Sequence, residues 1–219
     1  MKYQAIIFDL DGTLLNTLDD LAIAFNIACG QFGCPLSDRE EYKQLVGNGA
    51  RHVIVTRFKQ HHISEEHVEQ GVRLFREAYS ATKLAQTHPY PGIPEVLHAL
   101  SEIPVKLNVL SNKPHQDTVQ CIRQFFNIHQ FEVVLGQQEN SPLKPDPASA
   151  KEIMKQCGVP CHKGLFIGDT AVDIETAHNA HMYAVGVTWG FRTQAELIQC
   201  GAYTIIHKPD EIISCLRIS

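Results

Sequence analysis

The chain has 219 residues, of which 44% are apolar and 20% are charged, and its formal net charge is −5. This composition excludes a disordered chain, and the length predicts one large domain or a core with an insert. The acidic balance argues against a nucleic-acid-binding protein, since such proteins carry a basic patch. No segment has the apolar length of a signal peptide or of a membrane span, so we expect no membrane partner.

The seven cysteines are an odd number and are scattered along the chain. They fit reduced thiols better than a disulfide framework, so we expect a cytoplasmic protein. For the oligomeric state, a monomer and a homodimer both stay open. Cys157, Cys161 and His162 do not make a convincing zinc site, because their spacing is loose and no second ligand pair follows.

The first part of the chain combines one strand with a helical stretch. Residues 5–8 (AIIF) are all apolar, as a strand covered on both faces should be. From Leu18 to about Leu84 there is no convincing strand, and the apolar residues recur at helical spacing. Helices are predicted there at residues 19–32, 37–46, 50–61 and 64–81. We therefore predict a helical domain at residues 17–85, inserted into a core formed by residues 1–16 and 86–219.

From about Val105 onward, short β-type runs alternate with amphipathic stretches. The runs predict strands at residues 106–110, 131–135, 164–167 and 183–187. The stretches predict helices at residues 116–126, 147–156, 171–180 and 194–199. This alternation indicates an α/β protein whose core is a Rossmann-like parallel sheet flanked by helices.

The strongest chemical pattern is the hexapeptide at residues 8–13 (FDLDGT), at the end of the first predicted strand. Ligands of open α/β sheets bind beyond the carboxyl ends of the strands. Asp9 and Asp11 are two residues apart in an extended segment, so their side chains can converge on one site. Two such carboxylates repel each other unless a cation or a proton intervenes. Gly12 lets the backbone turn sharply beside them.

A second acidic pattern, at residues 168–173 (GDTAVD), also follows an apolar run. Asp169 lies at the predicted strand end, and Asp173 lies in the first turn of the next predicted helix. Helix capping explains Asp173 adequately, but it does not explain a second strand that ends in an acidic residue. Together with Asp9 and Asp11, these residues form the oxygen-rich kind of site that magnesium prefers.

Two further segments each allow two interpretations. Lys144 lies among prolines at residues 143–147 (LKPDP), so it is either an ordinary solvent-facing lysine or one aimed at a phosphate oxygen. Ser111 and Asn112, at residues 110–114 (LSNKP), follow another strand. They either cap a helix or offer a hydroxyl and backbone N–H groups to an anion.

These four segments, in this order, resemble the haloacid-dehalogenase-like superfamily, and more narrowly its phosphoglycolate-phosphatase-like branch. The resemblance covers essentially the whole chain and includes the helical insert, which is similar to the family's small cap domain. It implies a magnesium-dependent phosphatase that acts on a small phosphate ester through an aspartyl-phosphate intermediate.

The resemblance also implies roles for individual residues. Asp9 would be the nucleophile, and Asp11 would be the general acid and base. Magnesium would be held by Asp9, the backbone carbonyl of Asp11, and Asp169. Asp173 would support these ligands through water or Lys144. The groups that bind phosphate would be Ser111, the N–H of Asn112, and Lys144.

The glycine-rich segment at residues 46–51 (VGNGAR) would be the cap loop. It would place backbone amides and Arg51 near the non-phosphate end of the substrate. Arg51 would suit a carboxylate such as that of glycolate, although the residues alone fit a surface arginine equally well. A dinucleotide-binding loop is not supported, because the third glycine is absent and no strand precedes the segment.

The presence of Asp11 also helps to distinguish among the alternative activities of this superfamily. Haloacid dehalogenases lack the second Asp of the first motif and phosphonate hydrolases replace it, so Asp11 argues against both. A sugar phosphomutase keeps both Asp residues and stays open, as do a pyrophosphatase and a nucleotide phosphatase. A non-enzymatic binding module is disfavoured, because it would be free to lose members of a set that is intact here.

Overall fold

The computed structural model describes residues 2–82, 84–139 and 141–217. The chain forms two compact units, a larger one made of Met1–Leu15 and Pro89–Ser219 and a smaller one made of Asn16–His88. The boundaries predicted from the sequence, 16/17 and 85/86, lie one and three residues away from these. In the part of the chain that the structure describes, no helix is both long and apolar enough to cross a membrane.

The larger unit is built on a parallel sheet. The strands among the described residues are β1 (Ala5–Phe8), β2 (Leu15–Asn16), β3 (His88–Pro89), β4 (Lys106–Pro114), β5 (Phe131–Gln137), β6 (Gly164–Gly168), β7 (Tyr183–Val187) and β8 (Thr204–Ile206). Strands β2 and β3 pair with each other, and the other six form one sheet in the order β5-β4-β1-β6-β7-β8. Each neighbouring pair in that sheet is parallel. The predicted α/β class with a parallel sheet is confirmed.

The path of the chain reverses across the sheet at β1. It runs from β1 through β4 to β5 on one side, and then from β6 through β7 to β8 on the other. Such a reversal leaves a crevice beyond the carboxyl ends of the strands that flank it. Phe8, the last residue of β1, is in register with Val109 of β4 and with Ile167 of β6. The segments that follow these positions therefore lie side by side at one edge of the sheet.

Helices cover the sheet and complete the units. They are α1 (Leu18–Gly30), α2 (Arg39–Leu45), α3 (Ala50–Gln60), α4 (Val68–Thr82), α5 (Ile93–Ser101), α6 (His115–Phe125), α7 (Ala148–Gln156), α8 (Ala171–Asn179), α9 (Gln194–Gln199) and α10 (Glu211–Cys215). Ile153 of α7 and Ile174 of α8 belong to one buried apolar cluster with Ile7 of β1 and Phe166 of β6. This packing fixes the central strands, whose ends carry the polar residues.

The smaller unit packs helices α1 to α4 around aromatic side chains. Phe25 stacks on Phe75 with ring centroids 4.0 Å apart, and on Tyr42 at 5.5 Å. Asp20, in the first turn of α1, accepts hydrogen bonds from the backbone N–H and the hydroxyl of Thr87 at 2.8 and 2.7 Å. The start and the end of this unit are thereby tied to each other.

Some elements differ from the sequence prediction. Strands β2, β3 and β8 and helices α5 and α10 were not predicted. The helix predicted from residue 37 begins later, because Asp38 and not Ser37 caps it: Asp38 accepts from the backbone N–H of Glu41 at 2.8 Å. Ser37 instead bonds through its backbone to the side chain of Asn26 at 2.9 Å.

Candidate active site

Asp9 lies directly after β1, at the carboxyl edge of the sheet. Its backbone N–H donates to the carbonyl of Ile167 at 2.9 Å, which extends the pairing of β1 with β6. Its side chain is buried, with Oδ1 2.7 Å from Nζ of Lys144. The same ammonium group lies 2.7 Å from Oδ1 of Asp173. One lysine therefore bridges two buried carboxylates that come from different elements.

Asp173 uses its two oxygens for two different tasks. Oδ1 accepts from Lys144, whereas Oδ2 accepts from the N–H and the hydroxyl of Thr170 at 3.0 and 2.7 Å. Because Asp173 lies in the first turn of α8, the second pair of bonds caps that helix. Asp173 therefore caps α8 and binds Lys144 at the same time.

Asp169 follows β6 and has donors on both carboxylate oxygens. The hydroxyl of Thr13 donates to Oδ1 at 2.9 Å, and the backbone N–H of Phe191 donates to Oδ2 at 2.8 Å. The chain approaches it so closely that a Cβ at Gly12, where φ is +94°, would overlap its carboxylate. Thr13 and Phe191 are additions to the predicted site. Thr13 belongs to the hexapeptide of the first motif, whereas a backbone N–H such as that of Phe191 leaves no signal in the sequence.

Burial and mutual repulsion oppose ionisation of these carboxylates. Burial raises the pKa of Asp9 well above its ordinary 3.8, and Asp173 and Asp169 add to the rise while Lys144 opposes it. Burial and Asp173 raise the pKa of Asp169 to about 7. Burial disfavours the charged form of Lys144, but the carboxylates of Asp173 and Asp9 outweigh it and raise the pKa of Lys144 above its ordinary 10.5. The cluster therefore keeps its lysine charged.

The same cluster fits a divalent cation. Carboxylate oxygens of Asp9, Asp169 and Asp173 all lie within 4.8 Å of one another, and all three residues are buried. One ammonium group cannot neutralise three carboxylates, and an uncompensated negative charge is costly away from water. Hard divalent cations take oxygen ligands of this kind. The donor set suits a divalent metal ion.

Asp11 has a partner of its own. Nζ of Lys113 lies 3.0 Å from each oxygen of the Asp11 carboxylate. The Lys113 side chain is only 4% exposed, and that of Asp11 is 19% exposed. Lys113 was not predicted as a site residue, although it directly follows Ser111 and Asn112. Its position at the end of a strand next to β1 is the signal that could have identified it.

Ser111 and Asn112 lie within β4, where its register against β5 is irregular. The hydroxyl oxygen of Ser111 accepts from the N–H of Lys113 at 3.2 Å. The Asn112 side chain bonds to the backbone of Lys144: Oδ1 accepts from its N–H at 2.8 Å, and Nδ2 donates to its carbonyl at 3.1 Å. Two of the predicted phosphate-binding residues, Asn112 and Lys144, are thus in direct contact.

Arg51 lies in the smaller unit, at the start of α3. It lies two residues after Gly49, which precedes the helix and has a φ of +82°. Its Nε donates to Oε1 of Glu69 at 3.0 Å, and both side chains are exposed. Its predicted contact with the substrate stays a prediction.

Comparisons with known proteins give a family model, curated relatives and solved structures that match most of the chain. A family model described as haloacid dehalogenase-like hydrolase matches residues 6–187. The phosphoglycolate phosphatase of Pseudomonas savastanoi pv. phaseolicola is 34% identical over 193 residues, which are 86% of this chain and 70% of that protein. That of Mannheimia succiniciproducens is 33% identical over 196 residues, 87% and 88% of the two chains. A crystal structure from Lactobacillus delbrueckii subsp. bulgaricus, of a provisionally assigned phosphoglycolate phosphatase, matches with a TM-score of 0.93 at 30% identity over 99% of each chain.

We predict that Lys144→Met lowers the free energy of unfolding by about 3–5 kcal/mol in the presence of chelator, because Asp9 and Asp173 then stay buried without their cation. Urea unfolding near neutral pH measures the change. Lys151→Met, on the exposed surface of α7, is the control and should change the free energy by less than about 0.5 kcal/mol. Equal stabilities of the Lys144 variant and the wild type would show that the ammonium group does not stabilise the cluster.

Proposed function

Since the chain belongs to the haloacid dehalogenase-like hydrolase family, we propose that it is a magnesium-dependent phosphatase that hydrolyses a small phosphorylated metabolite, with phosphoglycolate as the first candidate. The observation that carries this proposal is the buried contact of Asp9 with Lys144, beside Asp169. A nucleophilic carboxylate, a cation for phosphate oxygens and an oxygen-rich metal site are the parts that this phosphoryl transfer needs. The choice of substrate is supported by curated relatives that are named phosphoglycolate phosphatase.

The first step transfers the phosphoryl group to the protein. A carboxylate oxygen of Asp9 attacks phosphorus in line with the leaving oxygen, forming an aspartyl-phosphate while the ester P–O bond breaks. Asp11 gives a proton to the leaving oxygen. Lys113, 3.0 Å from both oxygens of Asp11, orients that carboxyl group.

The second step releases phosphate. Water attacks the phosphorus of the aspartyl-phosphate, and Asp11 takes the proton of that water. The bond between phosphorus and the Asp9 oxygen breaks, which restores the carboxylate and frees inorganic phosphate. Because Asp11 alternates between acid and base, its greater exposure, 19% against 9% for the side chain of Asp9, suits the exchange of protons.

The negative charge of the phosphate must be offset within the site. Magnesium, held by Asp9, Asp169 and the backbone carbonyl of Asp11, would reduce the repulsion between the carboxylate and the phosphate. Asp173 keeps Lys144 charged and in place. The groups that bind the remaining phosphate oxygens are the ammonium of Lys144, the hydroxyl of Ser111 and the N–H of Asn112.

We also propose that the protein acts in the cytoplasm and has no nucleic-acid partner. All seven cysteines are free thiols, which fits a reducing compartment. The net charge of −5 would repel a nucleic-acid backbone.

Asp9→Asn is expected to lower the rate of phosphate release by roughly 10⁴-fold or more, the scale on which the loss of a covalent nucleophile acts. A free-phosphate assay on a panel of phosphorylated metabolites, with and without a sugar bisphosphate, measures this and also separates a phosphatase from a mutase. Asp210→Asn, at an exposed position before α10, should retain wild-type activity. Near-normal release by the Asp9 variant would remove Asp9 as the nucleophile.

Removal of divalent metal should stop phosphate release, and magnesium should restore it. Trp189, the only tryptophan, donates a hydrogen bond from Nε1 to the carbonyl of Thr13 at 3.0 Å. The hydroxyl of Thr13 in turn donates to Asp169, one of the proposed metal ligands. The fluorescence of Trp189 should therefore change on metal binding. Magnesium at 100 times its Kd should also raise the free energy of unfolding by about 2.7 kcal/mol. Full activity in chelator would contradict the metal site.

Arg51→Ala should lower kcat/KM for phosphate esters that carry a carboxylate by about 10- to 100-fold, the cost of one charge-assisted hydrogen bond. Esters without a carboxylate should be affected less than about threefold. Arg73→Ala, which removes another exposed arginine of the smaller unit, is the control. Equal losses on both classes of ester would refute carboxylate recognition by Arg51.

A further inference from the structure

The side chain of Asn112 satisfies both backbone polar groups of Lys144. Its Oδ1 accepts from the Lys144 N–H at 2.8 Å, and its Nδ2 donates to the Lys144 carbonyl at 3.1 Å. Asn112 is 6% exposed and Lys144 is 5% exposed, so both bonds are shielded from water. The two residues are 32 positions apart in the chain. This reciprocal pair joins the end of β4 to the loop that precedes α7.

Apart from the ion pairs of the Lys144 ammonium group, the backbone of that loop has few other hydrogen bonds. Pro145 and Pro147 have no N–H to donate, so no ladder of backbone bonds can fix the segment. The hydrogen bonds described for its backbone, besides those of Asn112, are one from Asn179 Nδ2 to the Pro145 carbonyl at 3.0 Å, turn-forming bonds around Asp146 and the first bond of α7, from the Lys151 N–H to the Pro147 carbonyl. Among the residues that make these backbone bonds, only Asn112 lies in a strand of the sheet. That strand is β4, which pairs with β1.

The position of the Lys144 backbone decides where its ammonium group can reach. Nζ is 2.7 Å from Asp9 and 2.7 Å from Asp173, and both contacts depend on where the side chain starts. Asp9 follows β1, and Asn112 lies in β4 next to it. Asn112 therefore fixes the origin of the lysine side chain relative to the strand that carries its partner.

We propose that Asn112 is a positioning residue, whose side chain holds the backbone of Lys144 where the ammonium group of that lysine can reach Asp9. Its kinetic consequence rests on the proposed function, because Lys144 is there a phosphate-binding group. The role is separate from the predicted contact of the Asn112 N–H with phosphate, since it uses the side-chain amide. Displacement of a catalytic group by about 1 Å can cost roughly 10²-fold in rate, so a side chain that never touches substrate can still set the rate.

The test compares Asn112→Ala with Asn112→Leu, which keeps the approximate volume of the side chain but makes neither hydrogen bond. Both variants keep the backbone N–H of residue 112. Asn179→Ala is the matched control, because it removes an exposed bond to the same loop. Circular dichroism and hydrogen exchange in β1 and β6 establish that each variant is folded.

The first readout is hydrogen exchange by mass spectrometry in a peptide spanning residues 142–147. Three of its residues are prolines and have no N–H, so the amide of Lys144 contributes a large share of the signal. Exchange in this peptide should speed up at least about tenfold in both Asn112 variants and less than about twofold in Asn179→Ala. Unchanged exchange in the Asn112 variants would overturn the proposal.

The second readout is steady-state hydrolysis of the best substrate in the metabolite panel. Both Asn112 variants should lower kcat by about 10- to 100-fold and change KM by less than about threefold, because contacts to phosphate oxygens strengthen in the transition state. Magnesium affinity, followed by Trp189 fluorescence, should stay within about twofold. Faster exchange with unchanged kcat would also overturn the proposal. A wild-type protein that hydrolyses no ester would refute the proposed function, whereas the exchange measurement would still decide whether Asn112 holds Lys144.

Discussion

Repulsion among buried carboxylates is the constraint on which the rest of the site depends. Asp9, Asp169 and Asp173 approach within 4.8 Å, in a place where water cannot screen them as it does at a surface. Lys144 offsets part of the repulsion through contacts of 2.7 Å with two of them, and two hydrogen bonds do so at the third. The remaining excess of negative charge favours a bound cation. It also favours neighbouring groups that donate hydrogen bonds to the carboxylates, as Thr13 and Phe191 do to Asp169. A phosphate group, itself negative, would be repelled by that excess unless a cation offset it.

The order of the strands explains why distant residues share this constraint. Because the chain reverses at β1, the segments that follow Phe8 of β1, Val109 of β4 and Ile167 of β6 meet at one edge of the sheet. The three segments contribute Asp9, the pair Asn112 and Lys113, and Asp169. Lys144 comes from a loop outside this set of strand ends, and so it needs a link to the sheet. Asn112 provides that link.

Features that depend on a local pattern were predictable from the sequence, and those that depend on register were not. The bounds of β1, β7 and α9 agree with the prediction, since each is a continuous run with clear ends. Strand β4 runs four residues beyond the predicted end at residue 110, because its backbone pairs with β5 again at Pro114 after an irregularity. Asp9 and Asp169 could be identified as site residues from the sequence, because each is an acidic residue that directly follows an apolar strand. The pairing of Lys113 with Asp11 spans 102 positions, and only the folded sheet brings them together.

The bond between Asp20 and Thr87 has a consequence for how such proteins can diversify. It closes the inserted segment upon itself, so that the beginning and the end of that segment lie together. A closed segment of this kind can be lengthened, shortened or exchanged without altering the strand order that supports phosphoryl chemistry. Recognition of new molecules and the chemistry performed on them can then evolve at separate rates.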